Sequence, residues 1–182
     1  MIDLTNKGLP NVVEINGNPY SVHTDFRHWI RFEIEVSKMR KKDKIDVSYL
    51  FVDKMPASCN LNELFSFARP KNPLPRPTRG SSHAIALDYE LDSDLIYAAF
   101  LGQYGIDLIE IEYLHWHKFL ALLKGLNEST KLHEVMGYRC YVKSNGKERD
   151  IYEELRRAWE IEPDITEEEQ QEIDELNKLF GG

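Results

Sequence analysis

The apolar pattern opens as a hairpin and then turns helical. Val12-Val13-Glu14-Ile15 and Tyr20-Ser21-Val22 flank Asn16-Gly17-Asn18-Pro19, and Asn-Gly supplies the positive φ angles that a tight hairpin turn requires. A β-hairpin is expected over 11–22, with Pro19 restricting the start of its second strand. Thr24 can then cap a helix running to about Arg40, in which Phe26, Ile30 and Ile34 recur at i, i+4 and i+8 beside Trp29 and Phe32. After a polar break at Lys38–Lys44, Asp46–Lys54 reads as a short helix stopping before Pro56. Asn60 and Glu63 form a capping-box pattern ahead of Leu64-Phe65-Ser66-Phe67.

The clearest interruption is Arg69–Ser82, which holds four of the eight prolines and four basic residues, Arg69, Lys71, Arg76 and Arg79, with no acidic one. No helix or central strand survives that proline spacing, so 69–82 is expected to be an exposed, semi-stiff loop. Asp92, Ser93 and Asp94 then offer helix caps, and Gly105 offers a stop. A long helix is expected over Leu108–Leu126, with Ile109, Tyr113, Trp116, Leu120 and Leu123 on one stripe. Ile111, Phe119, Leu122 and Leu126 form a second, and Glu110, His117 and Lys124 a polar strip. A helix apolar on two sides belongs at the centre of a bundle. Two more helices follow, Thr130–Val142 and Lys147–Trp159, parted by Ser144-Asn145-Gly146. Thr166 and Glu169 suggest a last capping box ahead of a helix whose apolar stripe is Ile173, Leu176, Leu179 and Phe180.

The expected fold is mainly α: a compact helical bundle over 1–160 with an N-terminal hairpin, an exposed basic loop and an acidic C-terminal arm, 161–182. At 182 residues and 42% hydrophobic, the chain suits one ordinary domain with one core. The net charge of −8 argues against a phosphate-backbone partner, because nucleic-acid binding needs clustered lysine and arginine. No apolar run approaches the roughly 18 residues of a membrane span. No signal-peptide pattern stands at the N-terminus, so a cytoplasmic protein is expected. Cys59 and Cys140 lie in apolar surroundings and read as buried thiols rather than a disulfide framework.

Candidate chemistry is sparse. His115 and His117 would point about 200° apart on a helix and could not share a metal ion there. Glu112 and His115 have the Glu-x-x-His spacing of half a di-iron carboxylate site, but the chain holds no second copy. A structural i, i+3 pair is the expectation, with a buried carboxylate–histidine enzyme as the alternative. Gly102 and Gly105 read as close helix packing and a helix end. No nucleophile elbow or phosphate-binding glycine loop occurs. Neither a catalytic residue, a cofactor nor a metal is expected. The basic loop suits an acidic partner surface, and the stripe of the acidic arm suits a docking strip; from Glu160 onward nine acidic residues face one lysine.

Three blocks of the chain carry a resemblance. The first is Leu9-Pro10, Val12-Val13-Glu14-Ile15-Asn16-Gly17, Tyr20 and Thr24-Asp25-Phe26-Arg27 with Trp29-Ile30 and Phe32-Glu33. The second is Asp88-Tyr89-Glu90 with Asp92, Asp94 and Ile96-Tyr97-Ala98-Ala99-Phe100, then Tyr104-Gly105-Ile106-Asp107-Leu108. The third is Leu114-His115-Trp116, Lys118-Phe119, Ala121-Leu122-Leu123 and Gly125-Leu126. Over roughly 9–160 the chain resembles a family of small tail-cluster proteins of siphophages and Firmicute prophages, the phage protein numbered fifteen. That resemblance implies a non-enzymatic tail-assembly chaperone in the cytoplasm of the bacterial host. It would coat the tape-measure protein until tail-tube protein replaces it, alongside a companion chaperone and further copies of itself. A structural tail or neck component of the virion is the other reading within the binding class. The expected contact residues are Ile173, Leu176, Leu179 and Phe180 of the arm and Arg69, Lys71, Arg76 and Arg79 of the loop.

Overall fold

The structure, a computed structural model, describes residues 2–39, 44–69, 84–142 and 149–161. In order these form β1 (Val12–Ile15), β2 (Asn18–Ser21), α1 (Phe26–Ser37), α2 (Leu61–Ala68), α3 (Ser93–Tyr104), α4 (Trp116–Lys124), α5 (Lys131–Arg139) and α6 (Arg149–Trp159), with a single 3-10 turn at Ser48–Leu50. The fold is mainly α with one N-terminal hairpin, as the pattern of the chain predicts.

The hairpin follows from its turn. Asn16 and Gly17 take φ angles of 50° and 77°, the pair of left-handed residues that matches the twist of antiparallel strands. β1 and β2 pair with Val13 opposite Tyr20 and Glu14 opposite Pro19. Val13 and Ile15 point into the core while Val12 and Glu14 face out. Such a ribbon is marginal alone. Here Glu63 secures it, accepting from the Asn16 N–H at 2.8 Å and from the Asn60 N–H at 3.0 Å, so the α2 capping box also fastens the turn.

The core is a run of aromatic rings. Trp29 stacks on Phe67 with centroids 4.6 Å apart, and Phe119 stacks on Phe26, Phe100 and Trp116. Both buried indoles find an acceptor: Trp29 Nε1 donates to His23 O at 2.7 Å and Trp116 Nε1 to Ala68 O at 2.9 Å. Burying an indole N–H unpaired would cost roughly 1–3 kcal/mol. The starts of α1 and α4 are pinned side by side. Phe26 N–H donates to Leu114 O at 2.9 Å, Trp116 N–H to Thr24 O at 2.7 Å, and the Asp25 carboxylate that caps α1 also accepts from Leu114 N–H.

Several expected boundaries move. The cap of α1 is Asp25, because the Thr24 hydroxyl is engaged by Tyr113 Oη at 2.7 Å. The helix ends at Ser37; Arg40 lies outside the described residues. Asp46–Lys54 makes only a 3-10 turn, since Leu50 O accepts from His23 N–H and Val52 N–H donates to Ser21 O, drawing this stretch out along β2. The largest change is in the expected helix 108–126, which begins only at Trp116. Arg27 Nη2 takes the carbonyls of Leu108, Ile109 and Ile111 at 2.9, 3.4 and 2.7 Å, and Asp107 Oδ1 takes the N–H groups of Ile109 and Glu110. Groups so engaged are not available to a helical ladder. Ile109 and Tyr113, expected on an inner stripe, are 73% and 54% exposed, and His117, expected on a polar strip, is buried.

Gly105 does end α3, in the left-handed conformation at φ 65° with its N–H on Leu101 O. Gly102 is not a packing glycine: nothing lies within 4 Å of where its Cβ would stand. The close approach is at Gly125, where a Cβ would meet Tyr104 Oη at 3.1 Å. The cysteines also differ from expectation. Cys59 is half-buried and Cys140 is exposed at the end of α5.

Candidate interaction surface

Of the residues the sequence nominates for binding, only Arg69 falls within the described residues. Lys71, Arg76, Arg79, Ile173, Leu176, Leu179 and Phe180 lie outside them, as does the interval at Ser144–Gly146. Arg69 closes α2, and its guanidinium lies over the Phe65 ring, 4.0 Å from the centroid. It also faces Glu33 of α1, whose carboxyl is pushed up by burial and drawn partly back by the Arg69 charge.

The end of α2, from which the basic segment departs, is fastened to the first turn of α4. His117 Nε2 donates to Phe67 O at 2.8 Å, next to the Trp116–Ala68 bond. His115 is not a helix-face residue but the cap of α4: its Nδ1 accepts from His117 N–H at 3.0 Å and its Nε2 donates to Pro10 O at 3.0 Å. With both ring nitrogens so used, His115 is the neutral Nε2–H tautomer. Burial holds its pKa below the ordinary value, and that of His117 is lowered to about 4 by the same cause. The two rings therefore sit 5.1 Å apart instead of on opposite faces, and the Nε2 of each donates to a carbonyl. Glu112 is exposed while His115 is buried, so the Glu-x-x-His spacing does not bring that pair together. Among the described residues no group of three or more histidine, cysteine or acidic side chains has metal-ligating geometry.

A buried ion pair is the feature the sequence did not disclose. Arg139 of α5 grips Asp92 with two bonds, Nη1–Oδ2 at 2.6 Å and Nη2–Oδ1 at 2.9 Å, both side chains almost fully buried. The same guanidinium donates to Trp159 O at 2.7 Å and Ala86 O at 3.2 Å. Asp92 makes no side-chain cap to α3; its second contact is the Asp88 N–H at 3.0 Å. Arg139 thus joins the approach to α3, the end of α5 and the end of α6. An arginine three residues before the expected end of a helix at Val142 gives no local sign of such a partner.

Among the described residues, two of the places that present apolar side chains outward bear on binding. One is the 107–113 turn, where the Arg27 and Asp107 bonds hold Ile109 and Tyr113 in place. The other is α6. Its apolar positions Ile151, Leu155 and Trp159 recur every fourth residue, yet none of its side chains from 151 to 159 is buried, and Ile151 is 66% exposed. It rests on α5 through Tyr152, which meets Tyr138 and Tyr141 at 6.4 and 5.2 Å between centroids. Among the described residues no helix is long and apolar enough to cross a membrane.

No curated protein and no solved structure matches the chain. A family model does, that of the bacteriophage Gp15 protein, over residues 35–161. That span runs from the end of α1 through α6 and takes in the α4 anchor, the Asp92–Arg139 pair and the outward-facing helix. On that match the chain belongs to the bacteriophage Gp15 protein family.

Proposed function

We propose that this phage-family protein is a non-enzymatic tail-assembly chaperone that binds the tape-measure protein in the cytoplasm of the bacterial host. The observation that carries the reading is α6. An amphipathic helix whose apolar stripe is exposed at Ile151 and only half covered at Leu155 and Trp159 offers a surface to a second apolar element, and the sequence runs on into the acidic segment with its expected stripe Ile173, Leu176, Leu179 and Phe180. Each such side chain contributes roughly 1.5–3 kcal/mol when fully buried. Ordering the segment offsets much of this, so one contact is weak and many copies along a long partner are strong. Reversible coating of a tape-measure helix, with later displacement by tail-tube protein, needs that balance. A companion chaperone and further copies of the chain are the other partners of this reading, and Arg69, Lys71, Arg76 and Arg79 supply a basic contact for acidic partner surfaces.

The test is co-expression with a tape-measure fragment, comparing the full chain with one truncated after Trp159. The full chain should co-purify with the fragment. The truncated chain, which keeps the Trp159 carbonyl that Arg139 holds, should melt at nearly the same temperature and bind less. Unchanged binding after truncation would remove the arm from the reading. Loss of the fold would place 160–182 in the core.

A further inference from the structure

The two edges of the hairpin are not alike. In an antiparallel ladder, residues alternate between exchanging hydrogen bonds with the partner strand and pointing their N–H and C=O away from it. Val22 N–H donates to Asn11 O at 2.9 Å, so with the register Val13–Tyr20 and Ile15–Asn18 the bonded positions of β1 are Asn11, Val13 and Ile15. Val12 and Glu14 turn their backbone groups outward. On β2 the outward positions are Pro19 and Ser21. Pro19 has no N–H, and Ser21 O already accepts from Val52 N–H at 3.1 Å. That edge is closed by the means proteins ordinarily use. The outward groups of Val12 and Glu14 have no hydrogen-bond partner among the described residues.

The open edge borders a cavity of about 610 Å³. Val12, Val13 and Glu14 all line it. Their side chains alternate between the two faces of the ribbon, so three successive residues share one cavity along the strand's edge. Asp3, Pro10, Phe67 and His117 also line it. The Asp3 carboxylate closes a local turn, accepting from Thr5 N–H, Thr5 Oγ1 and Asn6 Nδ2, while Pro10 O is held by His115. Two carboxylates, Asp3 and Glu14, stand at the cavity, and no lysine or arginine among the described residues lines it.

We infer that the outer edge of β1 is a docking site for an extended, basic segment of another protein, which adds to the hairpin as a third strand. Main-chain bonds to Val12 and Glu14 give the affinity, and Asp3 and Glu14 select lysine or arginine on alternate residues. Four residues of β1 set the length of the pairing. The chain's own basic run at 69–79 does not suit the role in a second copy, because four prolines deny it a continuous ladder. The inference uses no residue of α6 or of 161–182, so it stands or falls independently of the proposed function.

The test uses the full chain and, as probe, an end-blocked five-residue peptide of alternating lysine and valine, followed by amide exchange and chemical shifts. In the protein alone, the Val12 and Glu14 amides should exchange fast and that of Val13 slowly. The peptide should protect Val12 and Glu14. Methylating the peptide nitrogens that face the strand, or replacing its lysines by glutamate, should weaken binding at least about tenfold. Glu14→Pro, which removes one outward N–H and leaves the β1–β2 ladder untouched, should do the same; if that variant does not fold, the two altered peptides carry the test on the native chain. Protection of Val12 and Glu14 without peptide, whether by the chain itself or by a concentration-dependent dimer, would overturn the inference. Affinity indifferent to methylation would overturn it as well.

Discussion

Replacing Arg139 by methionine should cost the protein much of its stability. The substitution keeps the aliphatic volume and removes a guanidinium with four bonds: two to Asp92 at 2.6 and 2.9 Å, one to Trp159 O at 2.7 Å and one to Ala86 O at 3.2 Å. What remains is a carboxylate with a side-chain exposure of 2%, served among the described residues by the Asp88 N–H alone. Removing one partner of a buried pair costs about 3–5 kcal/mol, most of it the penalty of the charge left behind. Domains are stable by only about 5–15 kcal/mol, and a chain of this size shifts in melting temperature by roughly 2–4 °C per kcal/mol. A drop on the order of 10 °C is therefore expected, together with a lower urea midpoint. Asp92→Asn in the Arg139→Met background should recover part of the loss, because the stranded charge is gone. The two effects should then fail to add by at least about 1 kcal/mol. Amides of 151–159 should lose exchange protection before those of α1 and α4. A loss under about 1 kcal/mol, or strict additivity, would refute the view that this pair holds α6 to the body.

His117 is held neutral by burial, its pKa lowered to about 4. The unfolded chain, titrating near 6.5, binds the extra proton first, so stability from this group is complete above about pH 6.5 and declines as pH falls toward 4, by at most about 1.4 kcal/mol per pH unit. Urea midpoints at pH 7, 5.5 and 4.5 should fall along that course, and less steeply in His117→Gln; equal slopes would exclude His117 as the cause. Glu63→Ala should lower the urea midpoint more than the loss of an ordinary cap, because one carboxylate serves both Asn60 and the Asn16 turn. The Asn16 and Gly17 amides should exchange faster in that variant than in the parent, and an effect confined to α2 would separate the two roles.

Local chemistry was legible in the sequence and distant chemistry was not. The Asn16-Gly17 turn, the Asn60–Glu63 box and the Gly105 stop each depend on residues a few positions apart, and each stands in the structure as expected. The start of α4 was misplaced by eight residues because the decisive group, the Arg27 guanidinium, lies more than 80 positions away in the chain. Asp92 looked like a cap for the same reason: its partner is 47 positions on. The histidine spacing misled once the helix holding it shortened and His115 became a cap. Apolar periodicity does mark α6 as amphipathic, but not which side remains uncovered. The open edge of β1 depends on strand register and on what covers β2, and neither is written in the pattern of the strand itself.

The pinned starts of α1 and α4 bear on how the chain is made. Asp25 and Leu114 meet across 89 positions, and the bonds from Phe26 to Leu114 and from Trp116 to Thr24 close the same long circuit. At roughly 5–20 residues per second of synthesis, the ribosome needs several seconds to deliver Trp116 after Thr24 has emerged. Through that interval Phe26 lacks the Phe119 ring on which it stacks, and the nascent chain carries bare aromatic surface. A protein whose proposed work is to shield another's apolar helix thus passes through a stage at which it needs shielding itself, and its yield should depend on the folding helpers of its host more than on its final stability.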